Sequence, residues 1–248
     1  VTGTPLASLR EGYRALVFGA TGGIGEALVS QLAADPRCAN VFAAGRAPQE
    51  HGGKVEGAIF DLEDEASIVD AVGRATANGE IDLVIVATGL LHDDAIKPER
   101  NWRALDADIL AKSFRINAIG PALVAKHVLT HLARGRKSVF AALSARVSSI
   151  SDNRLGGWHA YRASKAALNM LIRNFAIELA MRNREAVCVG LHPGTVDTPM
   201  SRPFQANVPD GKLFSPEKSA ACLISVIDGL TSADSGKLIA WDGAEIGF

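Results

Sequence analysis

The sequence predicts a doubly wound α/β fold, a parallel sheet covered by helices on both faces. Three observations carry that reading. Short apolar runs bounded by glycine or turn residues recur along the chain, the pattern of buried parallel strands. Stretches of helical periodicity, ten or more residues long, separate most of them, as crossover helices must. No repeat, low-complexity segment or linker interrupts the alternation, so residues 1–248 read as a single domain, and 248 residues suffice for one large core.

The elements follow in order. Arg14-Ala15-Leu16-Val17-Phe18-Gly19 is the first strand, and a helix from about Ile24 to Ala34 stops at Asp35-Pro36. Val41 to Ala44 and Gly57 to Phe60 are the second and third strands, the latter ending in Asp61. A helix from about Glu63 to Ala77 leads through Asn78-Gly79 to the fourth strand, Leu83 to Ala87. Helical periodicity is expected over Pro98 to Ala111 and Phe114 to Leu132, followed by a fifth strand at Ser138 to Leu143. A long helix runs from Ala160 to Arg182, then a strand at Val187 to Leu191, a helix at Pro216 to Gly229 and a seventh strand at Lys237 to Trp241. In such a fold ligands sit beyond the carboxyl ends of the strands, where the strand order reverses.

Composition narrows the setting. A formal net charge of -1 argues against binding nucleic acid or an anionic membrane by bulk electrostatics. Cys38, Cys188 and Cys222 are widely spaced and odd in number, which favours reduced thiols over a disulfide framework or zinc cluster. No apolar run approaches the roughly 20 residues of a membrane span, and Val1 to Gly12 lack a signal-peptide core. A cytoplasmic protein is expected.

Gly19-Ala20-Thr21-Gly22-Gly23-Ile24-Gly25 lies between a predicted strand and a predicted helix, the setting that makes a glycine cluster a phosphate site. Without side chains the backbone can approach a pyrophosphate, and the helix start offers free N–H groups and a positive dipole end. The spacing fits G-x-x-x-G-x-G through Gly19, Gly23 and Gly25, and equally G-x-x-G-x-x-G through Gly19, Gly22 and Gly25. Where NAD-binding folds place an acid for the ribose, the second strand here ends Ala44-Gly45-Arg46. An acid would repel a 2′-phosphate, whereas a guanidinium can pair with it, so NADP is expected over NAD. Asp61-Leu62 are placed to border the adenine, and Ala87-Thr88-Gly89 close the fourth strand on the same side.

Tyr161 and Lys165 are four apart in a predicted helix and so share one face. A cation near the phenol would favour its ionised form and bring it toward acid/base work near neutrality. Alone this pair is weak evidence, since helices carry many such pairs by chance.

With the glycine turn, Asn117, Ser144, Tyr161-x-x-x-Lys165 and Pro193-Gly194 all in order, the chain resembles the short-chain dehydrogenases/reductases, from about Ala15 to Gly243. Tyr161 to Asn169 and the terminal Ala240 to Ile246 look most like the C-factor/sniffer-type carbonyl reductases. The resemblance implies a seven-stranded Rossmann sheet and hydride exchange between NADPH and a carbonyl or alcohol. It also implies roles: Tyr161 as general acid/base, Lys165 holding the nicotinamide ribose and lowering the tyrosine pKa, and Asn117 holding a relay water. Pro193, Gly194 and Val196, with Thr195 backbone and the Thr198 side chain, would approach the nicotinamide. Relatives place a serine pair after the fifth strand and work with the second; here that position is Ala145, so Ser144 is expected to act, with Ser148 or Ser149 as alternatives. The asparagines that relatives carry beside Thr88-Gly89 are absent.

Residues 198–214 are expected to form a short substrate lid, and Trp158 and His159 either line the pocket or pack beneath the loop. His127 and His131 share a helix face but lack a third metal ligand. The resemblance implies a homodimer or homotetramer paired through the helices around Asn117 and Tyr161, although some relatives are monomers. A cofactor-bound regulatory or signalling protein with incidental turnover is the alternative to a reductase. A sugar-nucleotide epimerase would need a longer carboxy-terminal substrate domain than the residues after Gly194 can build.

Overall fold

The computed structural model describes residues 5–47 and 53–248. The chain runs β1 (Tyr13–Phe18), α1 (Gly23–Ala34), β2 (Cys38–Gly45), β3 (Val55–Ile59), α2 (Glu65–Thr76) and β4 (Leu83–Val86). It continues through α3 (Ala107–Phe114), α4 (Gly120–Val128), β5 (Ser138–Leu143), α5 (His159–Ala180) and β6 (Ala186–His192). A two-residue ribbon, β7 (Thr195–Val196) with β8 (Leu213–Phe214), precedes α6 (Pro216–Gly229), β9 (Leu238–Ala240) and β10 (Glu245–Ile246).

The sheet order is β10-β9-β6-β5-β4-β1-β2-β3, and every pairing but one is parallel. The expected seven parallel strands are present, and β10 adds an eighth, antiparallel to β9, across the Asp242-Gly243 turn. The order reverses between β1 and β4, so the crevice for a ligand opens where β1 and β4 end.

Alternation of side chains along each strand divides the core into two layers. Ala15, Val17, Leu83, Ile85, Val139 and Ala141 pack toward α1 and α6; Leu16, Phe18, Val84, Val86, Phe140 and Ala142 pack toward α2, α4 and α5. Both faces of the central strands are buried, which is why their sequences read as unbroken apolar runs.

The region expected to be helical from Pro98 differs. Only a 3-10 turn, Trp102–Ala104, precedes Ala107, and α3 begins there because the Asp106 side chain accepts from the N–H groups of Asp108 and Ile109. The expected helix from Phe114 to Leu132 is likewise divided. Residues Arg115–Ile119 form a π-helical turn, α4 follows, and Leu129–His131 tighten into a 3-10 turn.

Candidate cofactor and active site

The glycine turn joins β1 to α1 at the switch point. Gly19 has φ +81, and a Cβ there would lie 3.0 Å from the Ala87 carbonyl carbon and from Thr88 Cγ2. A Cβ on Gly25 would fall 2.1 Å from the Gly19 carbonyl oxygen, and one on Gly23 would lie 3.1 Å from Thr198 Cγ2. Gly22 meets nothing closer than 3.4 Å. The crowded positions are therefore 19, 23 and 25, the G-x-x-x-G-x-G spacing. Thr21 packs its methyl over Gly45 at the end of β2, next to the exposed Arg46.

These residues fit a dinucleotide. The first N–H groups of a helix have no intrahelical partner, and Gly22 at the cap of α1 supplies no side chain to take them. Thr88 Oγ1, buried beside Gly19, has no hydrogen-bond partner among the described residues. The loop after β6 comes to the same turn through Thr198, while the Pro193 carbonyl accepts from Ser219 of α6 at 2.8 Å. Gly194, at φ +81, fits under the rings of Phe214 and Trp241, and Val196 is buried in the ribbon. Ile24 packs against the core from the first turn of α1. Asp61 turns its carboxylate onto the Glu63 N–H at 3.0 Å and is exposed; Leu62 is buried against Gly120 of α4.

Asn117, Lys165 and Gly89 converge. A Cβ on Gly89 would stand 3.5 Å from both Asn117 Oδ1 and Lys165 Nζ. Asn117 is fully buried in the π-helical turn, and its amide pairs with both backbone groups of Leu90: Leu90 N–H donates to Oδ1 and Nδ2 donates to the carbonyl, each at 2.8 Å. Nδ2 also reaches Ser113 Oγ and Ser164 Oγ, and Ser164 Oγ donates to the Tyr161 carbonyl at 2.9 Å. The amide thus ties the end of β4 to the first turns of α5.

Lys165 is 2% exposed and donates to the Leu143 carbonyl at 2.7 Å, bridging α5 to the end of β5. Burial pushes its ammonium down to about 7. Burial also pushes the Tyr161 phenol up to about 12, contrary to the expected lowering by Lys165. The reason is geometric: the ammonium is directed at a backbone carbonyl, and desolvation dominates at the phenol. The Tyr161 hydroxyl makes no hydrogen bond among the described residues.

Ser144 continues the phase of Phe140 and Ala142 and so faces the α5 layer. It is buried and donates to Asn169 Oδ1 at 2.7 Å, with Ser148 Oγ 3.5 Å away; Asn169 Nδ2 in turn donates to Ser148 Oγ at 2.7 Å. Ser149 is tied to the Gly247 carbonyl at the C-terminal end. No hydrogen bond joins any of the three serines to Tyr161 among the described residues.

Aromatic rings border Tyr161. Trp158 stands edge-to-face with it at 6.4 Å between centroids, Phe204 with Trp158 at 4.9 Å, and His92 with Phe204 at 5.5 Å. Phe204 belongs to residues 198–214, which the ribbon closes at its base, and His92 Nε2 lies 3.0 Å from the Met200 carbonyl. Sequence reasoning missed Asn169, which left a signal, a polar residue at a buried phase of an apolar helix. His127 pairs with Glu65 at 2.7 Å, and no metal-holding cluster exists among the described residues.

Residues 13–209 match the family profile described as short chain dehydrogenase. The chain belongs to the short-chain dehydrogenase family. Among curated relatives, this short-chain dehydrogenase is 39% identical over 148 residues to the C-signal protein of Myxococcus xanthus, covering 58% of this chain and 84% of that one. It is 32% identical over 234 residues to 1-hydroxy-2-glutathionyl-2-methyl-3-butene dehydrogenase of Rhodococcus sp. (strain AD45), covering 92% and 96%. Among solved structures it superposes on the NADPH-bound carbonyl reductase from chicken fatty liver with a TM-score of 0.82 at 25% identity, covering 100% of this chain and 96% of that one. It shares the fold of the carbonyl reductase Sniffer of D. melanogaster, with a TM-score of 0.80 at 22% identity and coverage of 96% and 100%. The family is one of oxidoreductases that use nicotinamide cofactors. No helix among the described residues is long and apolar enough to cross a membrane.

Proposed function

We propose that this short-chain dehydrogenase is an NADPH-dependent carbonyl reductase with Tyr161 as general acid. The observation that carries the reading is Tyr161 itself: a half-buried phenol whose hydroxyl is unbonded among the described residues, bordered by Trp158, one helical turn from Lys165 and sharing a cavity lining with Leu90, the backbone partner of Asn117. The turn of Gly19, Thr21, Gly22, Gly23, Ile24 and Gly25 would hold the pyrophosphate, and Arg46 the 2′-phosphate. Asp61 and Leu62 would border the adenine, and Ala87, Thr88 and Gly89 the adjoining ribose. Pro193, Gly194, Val196 and Thr198 would flank the nicotinamide, with Lys165 on its ribose hydroxyls.

When bound, the nicotinamide supplies a hydride to the carbonyl carbon. As negative charge develops on the substrate oxygen, Tyr161 gives its proton there, completing the alcohol and leaving a phenolate. Lys165 stabilises that anion and Asn117 positions the path by which it is reprotonated from solvent. Ser144, set by Asn169, is assigned to polarise the carbonyl oxygen, ahead of Ser148 and Ser149. Residues 198–214, with Phe204 against Trp158, form the lid.

A panel of small ketones and aldehydes assayed with NADPH and NADH in parallel tests this. Steady NADPH oxidation is expected, falling at least 10³-fold in Tyr161→Phe with NADPH binding retained. A second reading, a cofactor-bound signalling protein, draws on the likeness to the C-signal protein. Tight NADPH binding with no turnover of any carbonyl would favour it and sink the reductase.

A further inference from the structure

Glu99 is a buried carboxyl group, 3% exposed, that forms no ion pair among the described residues. Burying such a group is costly unless its oxygens are satisfied. Its carboxylate oxygens both accept from the Ala160 N–H, each at 3.3 Å, and its backbone carbonyl accepts from the Trp158 N–H at 2.6 Å. Residues Gly156, Gly157 and Trp158 are all left-handed, with φ of 62, 67 and 50; for tryptophan that conformation is strained. A Cβ on Gly157 would stand 3.3 Å from the Glu99 carbonyl oxygen. Trp158, the capping position of α5, supplies no side-chain cap.

The role of a cap therefore passes to a residue about sixty positions away in sequence. We infer that Glu99 is a positioning residue for Tyr161: its carboxylate caps α5 from outside through the Ala160 N–H, next to the Trp158 N–H held by its backbone carbonyl, and so fixes where the phenol points. The segment carrying Glu99 also packs directly behind the catalytic residue, since Ile96, Lys97, Pro98 and Glu99 line one small cavity with Ala160 and Tyr161. A carboxylate at a helix start also lies at the positive end of the helix dipole. The inference rests on the assignment of Tyr161 as general acid.

Three variants test it: Glu99→Ala, which removes the cap; Glu99→Asp, which shortens its reach; and Glu99→Gln, which keeps an acceptor without the charge. A displaced phenol costs rate more than binding, so Glu99→Ala should lower kcat roughly 10²-fold with the NADPH dissociation constant and the ketone KM within about twofold. Glu99→Gln should stay within about threefold of the wild-type kcat. The amides of Trp158 and Ala160 lie at a helix start and have no intrahelical partner. Hydrogen exchange at the Ala160 amide should quicken at least about tenfold in Glu99→Ala, while the Trp158 amide, bonded to the backbone carbonyl that alanine keeps, and α6 are unchanged.

Wild-type kcat and unchanged exchange in Glu99→Ala would overturn the inference, as would Glu99→Gln matching Glu99→Ala. Should Glu99→Ala not fold, Glu99→Asp gives the same decision, with a loss of kcat expected and wild-type behaviour refuting. If the wild-type protein reduces no carbonyl, the proposed function fails, but the exchange measurement still decides the role of Glu99 at α5.

Discussion

Substituting Lys165 by methionine should make the folded protein more stable at neutral pH while abolishing turnover. The wild-type ammonium is 2% exposed and burial lowers its pKa from 10.5 to about 7. Between those values the unfolded chain holds a proton that the folded chain lacks, so this group's contribution to stability rises with pH. Below about pH 7 both states are protonated and the full penalty applies; above 10.5 both are neutral and it vanishes. At about 1.4 kcal/mol per pH unit the penalty is on the order of 5 kcal/mol. Methionine matches the stem but leaves the Leu143 carbonyl without its donor, a pH-independent cost of about 1–3 kcal/mol. The variant should therefore be more stable than wild type by roughly 2–4 kcal/mol at about pH 6.5, and less stable by about 1–3 kcal/mol near pH 10.5. Urea denaturation of both proteins at several pH values measures this. Stability curves that run parallel in pH would refute the buried, pKa-lowered lysine.

Arg46→Ala should raise the NADPH dissociation constant at least about tenfold and leave NADH nearly unchanged, since only NADPH carries the 2′-phosphate; equal effects in titrations of both cofactors would remove Arg46 from the site. Single alanine substitutions of Ser144, Ser148 and Ser149 should give one large loss of kcat, about 10²-fold and at Ser144. Ser144→Ala should also cost about 1–3 kcal/mol of stability by leaving Asn169 Oδ1 without its donor. A near-wild-type kcat in Ser144→Ala would exclude that serine from the chemistry.

Much of the fold was legible because its signals are local. The unbroken apolar runs of β1, β4, β5 and β6 reflect burial on both faces, and the glycines at 19, 23 and 25 mark backbone that tolerates no side chain. Tyr161 and Lys165 lie one turn apart on α5, as their spacing in the sequence requires. The stretch after Pro98 misled because its periodicity is helical while its partners lie elsewhere: Glu99 is engaged by Trp158 and Ala160, and Asp106 starts α3 later. The π-helical turn that carries Asn117 leaves no local pattern, because its single extra residue per turn is stabilised by the amide's bonds to Leu90.

By itself the sequence determined the doubly wound sheet, the glycine turn, the acid-free end of β2 and the Tyr161–Lys165 pair, since periodicity, glycine placement and residue chemistry act over a few positions. The tertiary structure alone decided where the polar hydrogens go. Lys165 turns to Leu143, Ser144 to Asn169 and the start of α5 to Glu99. Buried polar groups must find partners, and the partners available depend on which distant segments the fold brings into contact.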